Sequence, residues 1–497
     1  MLDKLKYTLK HTLIYSLGNI STKAIGLVLL PLYTSYLTPE EYGIFAILEI
    51  TSQVLVTILG FRLSTALLRF STSEKQESKK KSIAFISLIA TTISVLMLNL
   101  ALHPFANDFS FLFFEHGRFS EYFTLLFFWA SFEIFNRVFL DFLRIKDQSI
   151  FYLITIVLKV LTILLFNIYF IVSLNYGVKG IILGQLIGSG LVFVIISPKM
   201  LAQINYKFDW GIFKEMFSYG FPLIFSGLST LLLSMGDRYL LKYFLTYSEV
   251  GVYSLGYKIA SVINIFLIQS FQLGFLPIAF KMYDQPNAKR YFTKVLTYYS
   301  FILVFVSLAF SLFSKELVLL LSQNESYNIA YTLVPIIVLA FIFKGILYVF
   351  SIGLHYVRKT GYNASVFAFA LVFNVLLNVL LIPIWGYYGA AFTAVLSNLL
   401  MAILFYYFSQ KYYHVNYEIS KIIVLMITGF FLFGLTVFIS GFLPFILTII
   451  FKFIVILSFP LLLYLIRFYD EVELETIKKI YNKWKRPETW KALFKRK

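Results

Sequence analysis

Residues 11–70 read HTLIYSLGNI STKAIGLVLL PLYTSYLTPE EYGIFAILEI TSQVLVTILG FRLSTALLRF, and they suggest how the rest of the chain is built. Two long apolar segments are joined by the loop LTPEEYG. The first carries Lys23 and the second carries Glu49, and at the helical period Asn19 shares the face of Lys23 while Gln53 shares the face of Glu49. Because a charge in hydrocarbon costs at least about 2.5 kcal/mol, we expect these faces to line a polar chamber inside a helix bundle.

The composition is typical of a polytopic membrane protein. Of 497 residues, 59% are hydrophobic and only 14% are charged, which lies outside the usual range of soluble domains. The chain has no cysteine, which excludes disulfides, thiol catalysis and cysteine metal sites. The first apolar stretch lacks a small-residue cleavage site and is predicted to be a retained helix.

A requirement of about 20 apolar residues per crossing predicts an all-α fold with fourteen transmembrane helices. The predicted spans are 12–37, 43–68, 83–102, 121–143, 150–174, 178–197, 214–241, 249–276, 292–313, 328–354, 362–383, 387–408, 421–441 and 444–466.

The basic residues test this count. Most of the 43 lysines and arginines fall in loops that would share one side, whereas the opposite side has only Arg118, Lys179, Lys242 and Lys315. The positive-inside rule then places both termini in the cytoplasm after an even number of crossings. Because the excess charge is spread over every inner loop, it does not form a nucleic-acid-binding patch.

The chain also contains an internal repeat. The sequence TPEEYG at 38–43 recurs as TYSEVG at 246–251, and YGVKG at 176–180 recurs as WGYYG at 385–389, with nearly the same separation. An even number of spans per copy predicts two six-helix lobes in a parallel pseudo-twofold repeat, with the site between them.

The predicted domains follow from the repeat. Residues 1–200 form the first lobe, residues 201–415 the second, and residues 416–466 two additional spans. Residues 467–497 form either a basic amphipathic cytoplasmic helix on the membrane surface or a disordered solubilising tail.

Ionisable residues within the predicted spans are the main functional signal. The cations outnumber the anions, which favours an anionic guest. The cations are Lys23, Arg62, Arg137, Lys159, Arg238, Lys258, Lys344 and Lys452, and the anions are Glu49, Glu133, Asp141 and Asp237.

Several of these charges also have a structural interpretation. Arg62 and Lys452 lie close enough to a span end to reach the headgroups. Asp237 and Arg238 could form a structural pair. Glu133, Arg137 and Asp141, four residues apart, could satisfy one another along one helix or line the lumen. We expect Lys23, Lys258 and Lys344 to face the lumen.

Enzyme signatures are absent from the sequence. The five histidines form no HExxH motif or close pair, and there is no Walker lysine loop. The external loops are too short for a catalytic domain. We therefore expect no catalytic residue, no metal site and no cofactor.

Several motifs resemble those of the polysaccharide biosynthesis flippases of the multidrug, oligosaccharidyl-lipid and polysaccharide exporter superfamily. They are Gly18-Asn19 in the first span, LTPEEYG at 37–43, LSTA at 63–66, the Arg144 region and GYYGAA at 386–391. The resemblance implies two six-helix lobes in a V, alternating access, and export of undecaprenyl-diphosphate-linked sugars across the bacterial inner membrane. Related lipid II flippases place basic residues on helices one, two and eight in the central cavity, and Lys23, Arg62 and Lys258 are similar placements.

The resulting hypothesis is a flippase for a lipid-linked oligosaccharide of O-antigen, capsule or exopolysaccharide assembly. The cations Lys23, Arg62, Lys258 and Lys344 would line the lumen, with Lys23, Lys258 and Lys344 attracting the diphosphate, and the sugars would lie among Asn19, Gln53, Gln269 and the tyrosines. Glu49 and Asp237 are the candidates for coupling to H⁺ or Na⁺. The expected partners are the lipid-linked substrate, membrane lipids and other membrane proteins of polysaccharide assembly.

Two alternatives remain open at this stage. A cation-coupled multidrug exporter would share the fold, but a cationic drug requires an acidic surplus in the lumen. A membrane polysaccharide polymerase or ligase would normally carry a long external loop with catalytic charges.

Overall fold

The computed structural model describes Gly18, Ser21 and residues 25–282, 285–357, 359 and 361–475. Over these residues the chain is helical and contains no β-strand. The predicted helix of residues 467–497 lies largely outside them, as do Asn19 and Lys23.

The helices of the first half are α1 (Leu30–Tyr36), α2 (Pro39–Leu59), α3 (Leu63–Ser73), α4 (Glu77–Leu102), α5 (Ala106–Phe114), α6 (Ser120–Ile145), α7 (Ser149–Asn167) and α8 (Gly177–Leu201). Those of the second half are α9 (Trp210–Met235), α10 (Asp237–Phe244), α11 (Tyr247–Ile263), α12 (Ser270–Met282), α13 (Ala288–Leu312), α14 (Ser314–Leu321), α15 (Leu333–Phe350), α16 (Ile352–Tyr356), α17 (Gly361–Trp385), α18 (Tyr387–Tyr412), α19 (Ile419–Ser440) and α20 (Phe445–Leu465). A π-helical segment, Asn264–Gln269, joins α11 to α12.

Thirteen helical segments of the described chain are long and apolar enough to cross a membrane. They correspond to the second through fourteenth predicted spans. The first predicted span lies mostly outside the described residues, and its described part is the shorter apolar helix Ile25–Tyr36. The prediction of an all-α polytopic membrane protein is therefore confirmed, while the count of fourteen stays a prediction.

The two copies of the repeated motif begin their helices in the same way. The Thr38 hydroxyl accepts a hydrogen bond from the Glu41 backbone N–H (3.2 Å), and the Glu41 carboxylate accepts one from the Thr38 N–H (2.9 Å). Thr246 and Glu249 form the same capping box before α11. Each box satisfies backbone N–H groups that a helix start leaves unpaired.

The repeated glycines of these motifs meet where α2 crosses α11. A β-carbon on Gly43 would lie 1.9 Å from the Tyr247 carbonyl oxygen, and one on Gly251 would lie 1.9 Å from the Pro39 carbonyl oxygen. Only residues without a side chain allow the two backbones this close. The repeat predicted from sequence is thus present as a reciprocal contact in the structure.

The small residues late in each copy also serve helix packing. A β-carbon on Gly188 of α8 would meet the Ile163 side chain of α7 at 2.4 Å. In the second copy, the Asn374 amide of α17 donates to the Ser397 hydroxyl of α18 at 3.1 Å.

The described residues divide into two compact units. The larger unit holds the described residues up to 282 and within 314–414, and the smaller unit holds residues 285–313 and 415–475. The helix of the ninth predicted span, α13, lies in the same compact unit as α19 and α20, and the lobe boundaries drawn from the repeat stay a prediction. Within the larger unit we use "first lobe" for α1–α8 and "second lobe" for α9–α12 with α14–α18.

Candidate functional site

A cavity of about 460 Å³, which we name the central cavity, lies inside the larger unit and is lined by helices of both lobes. Its apolar lining includes Ile25, Phe45, Trp129 and Ile163. Its polar and charged lining is Tyr33, Tyr42, Glu49, Ser52, Gln53, Glu133, Arg137, Lys159, Gln185, Ser234, Arg238, Ser254, Tyr257, Lys258, Ser261, Asn264 and Gln269.

A second cavity of about 690 Å³, the hydroxyl cavity, shares Gln53, Arg137 and Ser234 with the central cavity. It lies between α2, α3, α6 and α9, and side-chain hydroxyls dominate its wall. Its other lining residues are Thr57, Arg62, Ser64, Thr65, Asp141, Leu223, Ser226, Gly227, Thr230 and Leu231.

The carboxylates of α6 have partners other than Arg137. Glu133 pairs with Lys159 of α7 and accepts a hydrogen bond from the Ser189 hydroxyl, while Asp141 accepts from Arg144 at 2.9 Å. Arg137 makes no ion pair within 4.0 Å with either carboxylate among the described residues, so the three are not joined by direct ion pairs along the helix, and their role as a structural or a lumenal charge cluster stays a prediction. The helical period allowed that arrangement, but the Lys159 ammonium reaches Glu133 from the neighbouring helix.

Arg137 consequently faces both cavities without an ion pair. Among the described residues, no carboxylate oxygen lies within 4.0 Å of its guanidinium, although Lys159, Arg238 and Lys258, which also line the central cavity, each have an acidic partner. A guanidinium that faces a cavity without a direct ion pair favours an anionic ligand there.

Arg62 is the second such arginine, and it reaches the hydroxyl cavity through an unusual backbone. Phe61 and Arg62 have φ angles of 45° and 51°, in the left-handed region of the backbone that residues other than glycine rarely adopt. This bend separates α2 from α3, and Arg62 extends across to Gly227 of α9, where a β-carbon would overlap its Nη2 atom. The Nε atom of Arg62 is buried without a hydrogen-bond partner in the described structure.

Lys258 lines the central cavity and forms an ion pair with Glu49. Its Nζ atom is 3.8 Å from the Glu49 carboxylate, so the pair links α11 of the second lobe to α2 of the first. A β-carbon on Gly26 would lie 2.7 Å from the same Nζ atom, which places the ammonium against the apolar helix of residues 25–36. Both side chains are half-buried and line the central cavity.

Asp237 lies behind the cavity wall. It is buried, pairs with Arg238 at 3.0 Å and accepts a hydrogen bond from the Tyr253 hydroxyl. Arg238 lines the central cavity, whereas Asp237 does not line either cavity. This geometry matches the structural pair considered from the sequence, and a role for Asp237 in ion coupling stays a prediction.

Lys344 is also outside the wall of both cavities. Its Nζ atom lies 5.7 Å from the centre of the Phe341 ring, and Phe341 packs edge-on against Tyr257, which does line the central cavity. The sequence analysis expected Lys344 in the lumen because it lies in the middle of a span without an obvious local partner, and a role for it in substrate binding stays a prediction.

Gln53 and Gln269 both line the central cavity, as their helical faces predict, and their part in binding stays a prediction. The site also includes Asn264 and Gln185, two amides that the charge pattern of the sequence does not single out. Asn264 begins the π-helical segment, and such segments are common at functional sites.

Comparison with known proteins places the chain in a family. The family model described as "Polysaccharide biosynthesis protein" matches residues 8–283, which is more than half of the chain. An uncharacterized membrane protein of Methanocaldococcus jannaschii is 23% identical over 436 residues, covering 80% of this chain and 83% of that protein. The capsular polysaccharide biosynthesis protein CapF of Staphylococcus aureus is 28% identical over 267 residues, covering 51% of this chain and 65% of CapF.

Solved structures share the fold. The lipid II flippase MurJ in an inward closed conformation superposes with a TM-score of 0.73 at 16% identity, covering 90% of this chain and 98% of MurJ. An inward-facing multidrug resistance MATE transporter of the MOP superfamily gives 0.65 at 16% identity, covering 82% of this chain and 95% of that one. As its motifs predict, the chain belongs to the polysaccharide biosynthesis protein family, and it has the fold of the MOP superfamily.

Proposed function

We propose that this protein is a flippase for an oligosaccharide linked to undecaprenyl through a diphosphate, which it moves from the inner to the outer leaflet of a bacterial inner membrane by alternating access. Membership of the polysaccharide biosynthesis family and the fold shared with a lipid II flippase support the substrate class. The lipid-linked chemistry itself is inferred from the charges of the two cavities.

The observation that carries the proposal is the pair of arginines without acidic partners, Arg62 and Arg137, at the hydroxyl cavity. A guanidinium donates two parallel hydrogen bonds to a phosphate and keeps its charge when it is desolvated. A diphosphate offers two such acceptor groups. The diphosphate is therefore proposed to bind between Arg62 and Arg137, and not chiefly at the lysines expected from the sequence.

The central cavity would receive the sugars. Amides and hydroxyls such as Gln53, Asn264 and Gln269 supply both donors and acceptors, and Tyr257 offers an aromatic face of the kind that packs against sugar rings. Because Gln53, Arg137 and Ser234 belong to both cavities, a headgroup could place its phosphates in one and its sugars in the other.

Glu49 is the better placed of the two coupling candidates. Its partner Lys258 lies at the loose distance of 3.8 Å, and both face the cavity, so an arriving phosphate could draw Lys258 away. The freed carboxylate would then take up H⁺ or Na⁺. Asp237, held by Arg238 and Tyr253, has no comparable freedom.

A multidrug exporter of the same fold is the alternative, and the charges of the site disfavour it. The carboxylates that line the two cavities, Glu49, Glu133 and Asp141, each have a cationic partner among the described residues. A cationic drug would find no free carboxylate there.

The test is complementation of a host in which the gene has been deleted, with identification of the lipid-linked glycan that accumulates on the inner face. We expect R62Q and R137Q to leave that glycan accumulated at normal protein levels. R69Q is the matched control, because Arg69 is exposed and stacks on Tyr219 at 4.2 Å outside both cavities. Full complementation by R62Q and R137Q would refute the phosphate site, and a deletion strain without any accumulated glycan would refute the substrate class.

A further inference from the structure

The central cavity contains three amide side chains that are not hydrogen-bonded within the described part of the chain. Gln53 of α2, Gln185 of α8 and Asn264 at the start of the π-helical segment all line the cavity, and each is half-buried. A carboxamide offers both N–H donors and a carbonyl acceptor. These groups are therefore available to a ligand in the cavity.

Gln53 and Asn264 lie at a similar depth on opposite lobes. The Glu49–Lys258 ion pair joins α2 to α11 at 3.8 Å. Gln53 follows Glu49 along α2 by about one turn, and Asn264 follows Lys258 by between one and two turns. The two amides therefore line the cavity just beyond the ion pair, one from each lobe.

Gln53 also lies beside the proposed phosphate site. Like Arg137, it lines both the hydroxyl cavity and the central cavity. A group that reaches Gln53 from the central cavity is therefore adjacent to a diphosphate held between Arg62 and Arg137. In a sugar-diphosphate headgroup, that group is a sugar.

The charges that line the central cavity leave no cation for this sugar. Lys159, Arg238 and Lys258 each have a carboxylate partner. Arg137 faces the phosphates in the proposed function. Among the described residues of the cavity wall, no further lysine or arginine is present to pair with a negatively charged sugar.

Movement of Lys258 would not supply a cation either. If an arriving phosphate draws Lys258 away, the Glu49 carboxylate stays at the wall, one turn from Gln53. A sugar carboxylate would then meet a like charge. Beside the intact pair, it would be desolvated without a counter-charge of its own, which is also unfavourable. An uncharged sugar avoids both costs.

The two amides favour a sugar that carries an amide of its own. An acetamido group presents one N–H donor and one carbonyl acceptor, and a carboxamide can match both. Val56 of α2 and Ile265 of the π-helical segment also line the cavity near the two amides, and they offer apolar surface to the acetamido methyl group. A sugar with hydroxyls alone would leave that surface uncovered.

We propose that the sugar held in the central cavity is uncharged and carries an acetamido group, which Gln53 of the first lobe and Asn264 of the second recognise by hydrogen bonds. This assignment rests on the proposed function, because it concerns the sugar attached to the diphosphate. Gln53 and Asn264 thereby determine specificity, and a sugar that carries a carboxylate is disfavoured by the same arrangement.

The first test compares three matched analogues. Farnesyl diphosphates linked to N-acetylglucosamine, to glucose and to glucuronic acid differ only in the groups in question. We expect the purified full-length protein in detergent to bind the N-acetylglucosamine analogue about fivefold more tightly than the glucose analogue. It should bind the glucuronic acid analogue at least about tenfold more weakly than the N-acetylglucosamine analogue. Isothermal titration calorimetry measures the dissociation constants.

Leucine substitutions test whether the two amides cause the acetamido preference. Q53L and N264L should each reduce the preference for the N-acetylglucosamine analogue over the glucose analogue. Because the preference is a ratio, an effect on phosphate binding cancels. Q203L is the matched control, because Gln203 is a half-buried glutamine that lines neither cavity, and it should keep the full preference.

A charge variant should gain binding, which a misfolded protein cannot do. In E49Q the carboxylate near Gln53 is gone and Lys258 has lost its partner, so the glucuronic acid analogue should bind about fivefold more tightly than it binds the parent. E121Q is the control, because Glu121 pairs with Lys179 outside both cavities and its loss should not change this affinity.

The outcomes separate the sugar assignment from the proposed function. Equal affinity of the parent for the N-acetylglucosamine and glucuronic acid analogues would overturn the sugar assignment alone. So would an acetamido preference that survives both Q53L and N264L, or an E49Q protein that gains no affinity for the glucuronic acid analogue. A folded protein that binds none of the analogues, and no unlinked farnesyl diphosphate, would refute the proposed function and the sugar assignment with it.

Discussion

Lys159 of α7 reaches Glu133 of α6 and forms with it a partly buried ion pair at the wall of the central cavity. Glu133 therefore has its ion-pair partner on the neighbouring helix, and Arg137, four residues further along α6, makes no ion pair within 4.0 Å among the described residues. Lys159 is thus the counter-charge of Glu133 at the cavity wall.

Removing that lysine is expected to harm both stability and transport. In K159M, Glu133 loses its counter-charge, and we expect Arg137 to be drawn towards it. The loss of the ion pair should lower the free energy of unfolding by about 1–3 kcal/mol. Thermal unfolding in detergent measures the first effect. The double variant K159M/E133Q should recover most of the loss, and a double variant as unstable as K159M would show that the pair is not responsible.

Gly227 is expected to be required for the position of Arg62. In G227A the new methyl group would overlap the Nη2 atom of Arg62, so the guanidinium must leave its place and diphosphate binding should fall about tenfold. Binding of a soluble diphosphate analogue to the purified protein measures this. G274A is the control, because a β-carbon there meets no atom within 4 Å, and equal binding by both variants would contradict the assignment.

The α2–α11 crossing should tolerate no side chain. In G43A or G251A the β-carbon would lie 1.9 Å from a backbone oxygen of the other helix, and overpacking of this kind costs about 1–3 kcal/mol. We expect a lower melting temperature in detergent for both variants. G434A, which meets no atom within 4 Å, should melt like the parent, and an unchanged melting temperature in G43A would show that the helices can part without cost.

The smaller compact unit should lose stability in acid. Hydrogen bonds from Lys294 at 2.5 Å and then Lys421 at 2.7 Å hold the pKa of Asp470 below its usual value. A carboxyl whose pKa is lower in the folded state stabilises the fold above its unfolded pKa, near 4, and loses that contribution as the pH falls through the folded value. Melting temperatures between about pH 5 and pH 3 should therefore fall less steeply in D470N than in the parent.

If the melting temperature falls equally steeply with decreasing pH in D470N and in the parent, groups other than Asp470 cause the acid sensitivity. E471Q provides the comparison, because Glu471 is exposed and takes part in no ion pair among the described residues.

Much of the architecture could be predicted from the sequence because it depends on local properties. Runs of about 20 apolar residues specify crossings whatever their neighbours are, and the repeated TPEEYG and TYSEVG motifs form the same capping box because each contains its own cap and its own glutamate. Glu49, Gln53, Lys258 and Gln269 lie on the cavity wall as their helical faces predicted.

The tertiary structure decided which charges remain without a partner and which helices associate. Arg62 lines the hydroxyl cavity next to a left-handed bend at residues 61–62, whereas Lys344 lines neither cavity. Likewise, only the tertiary structure shows that α13 lies in one compact unit with α19 and α20. Helical periodicity gives the face of a side chain within one helix, but ion pairing depends on the rotation and spacing of neighbouring helices, which no local pattern encodes.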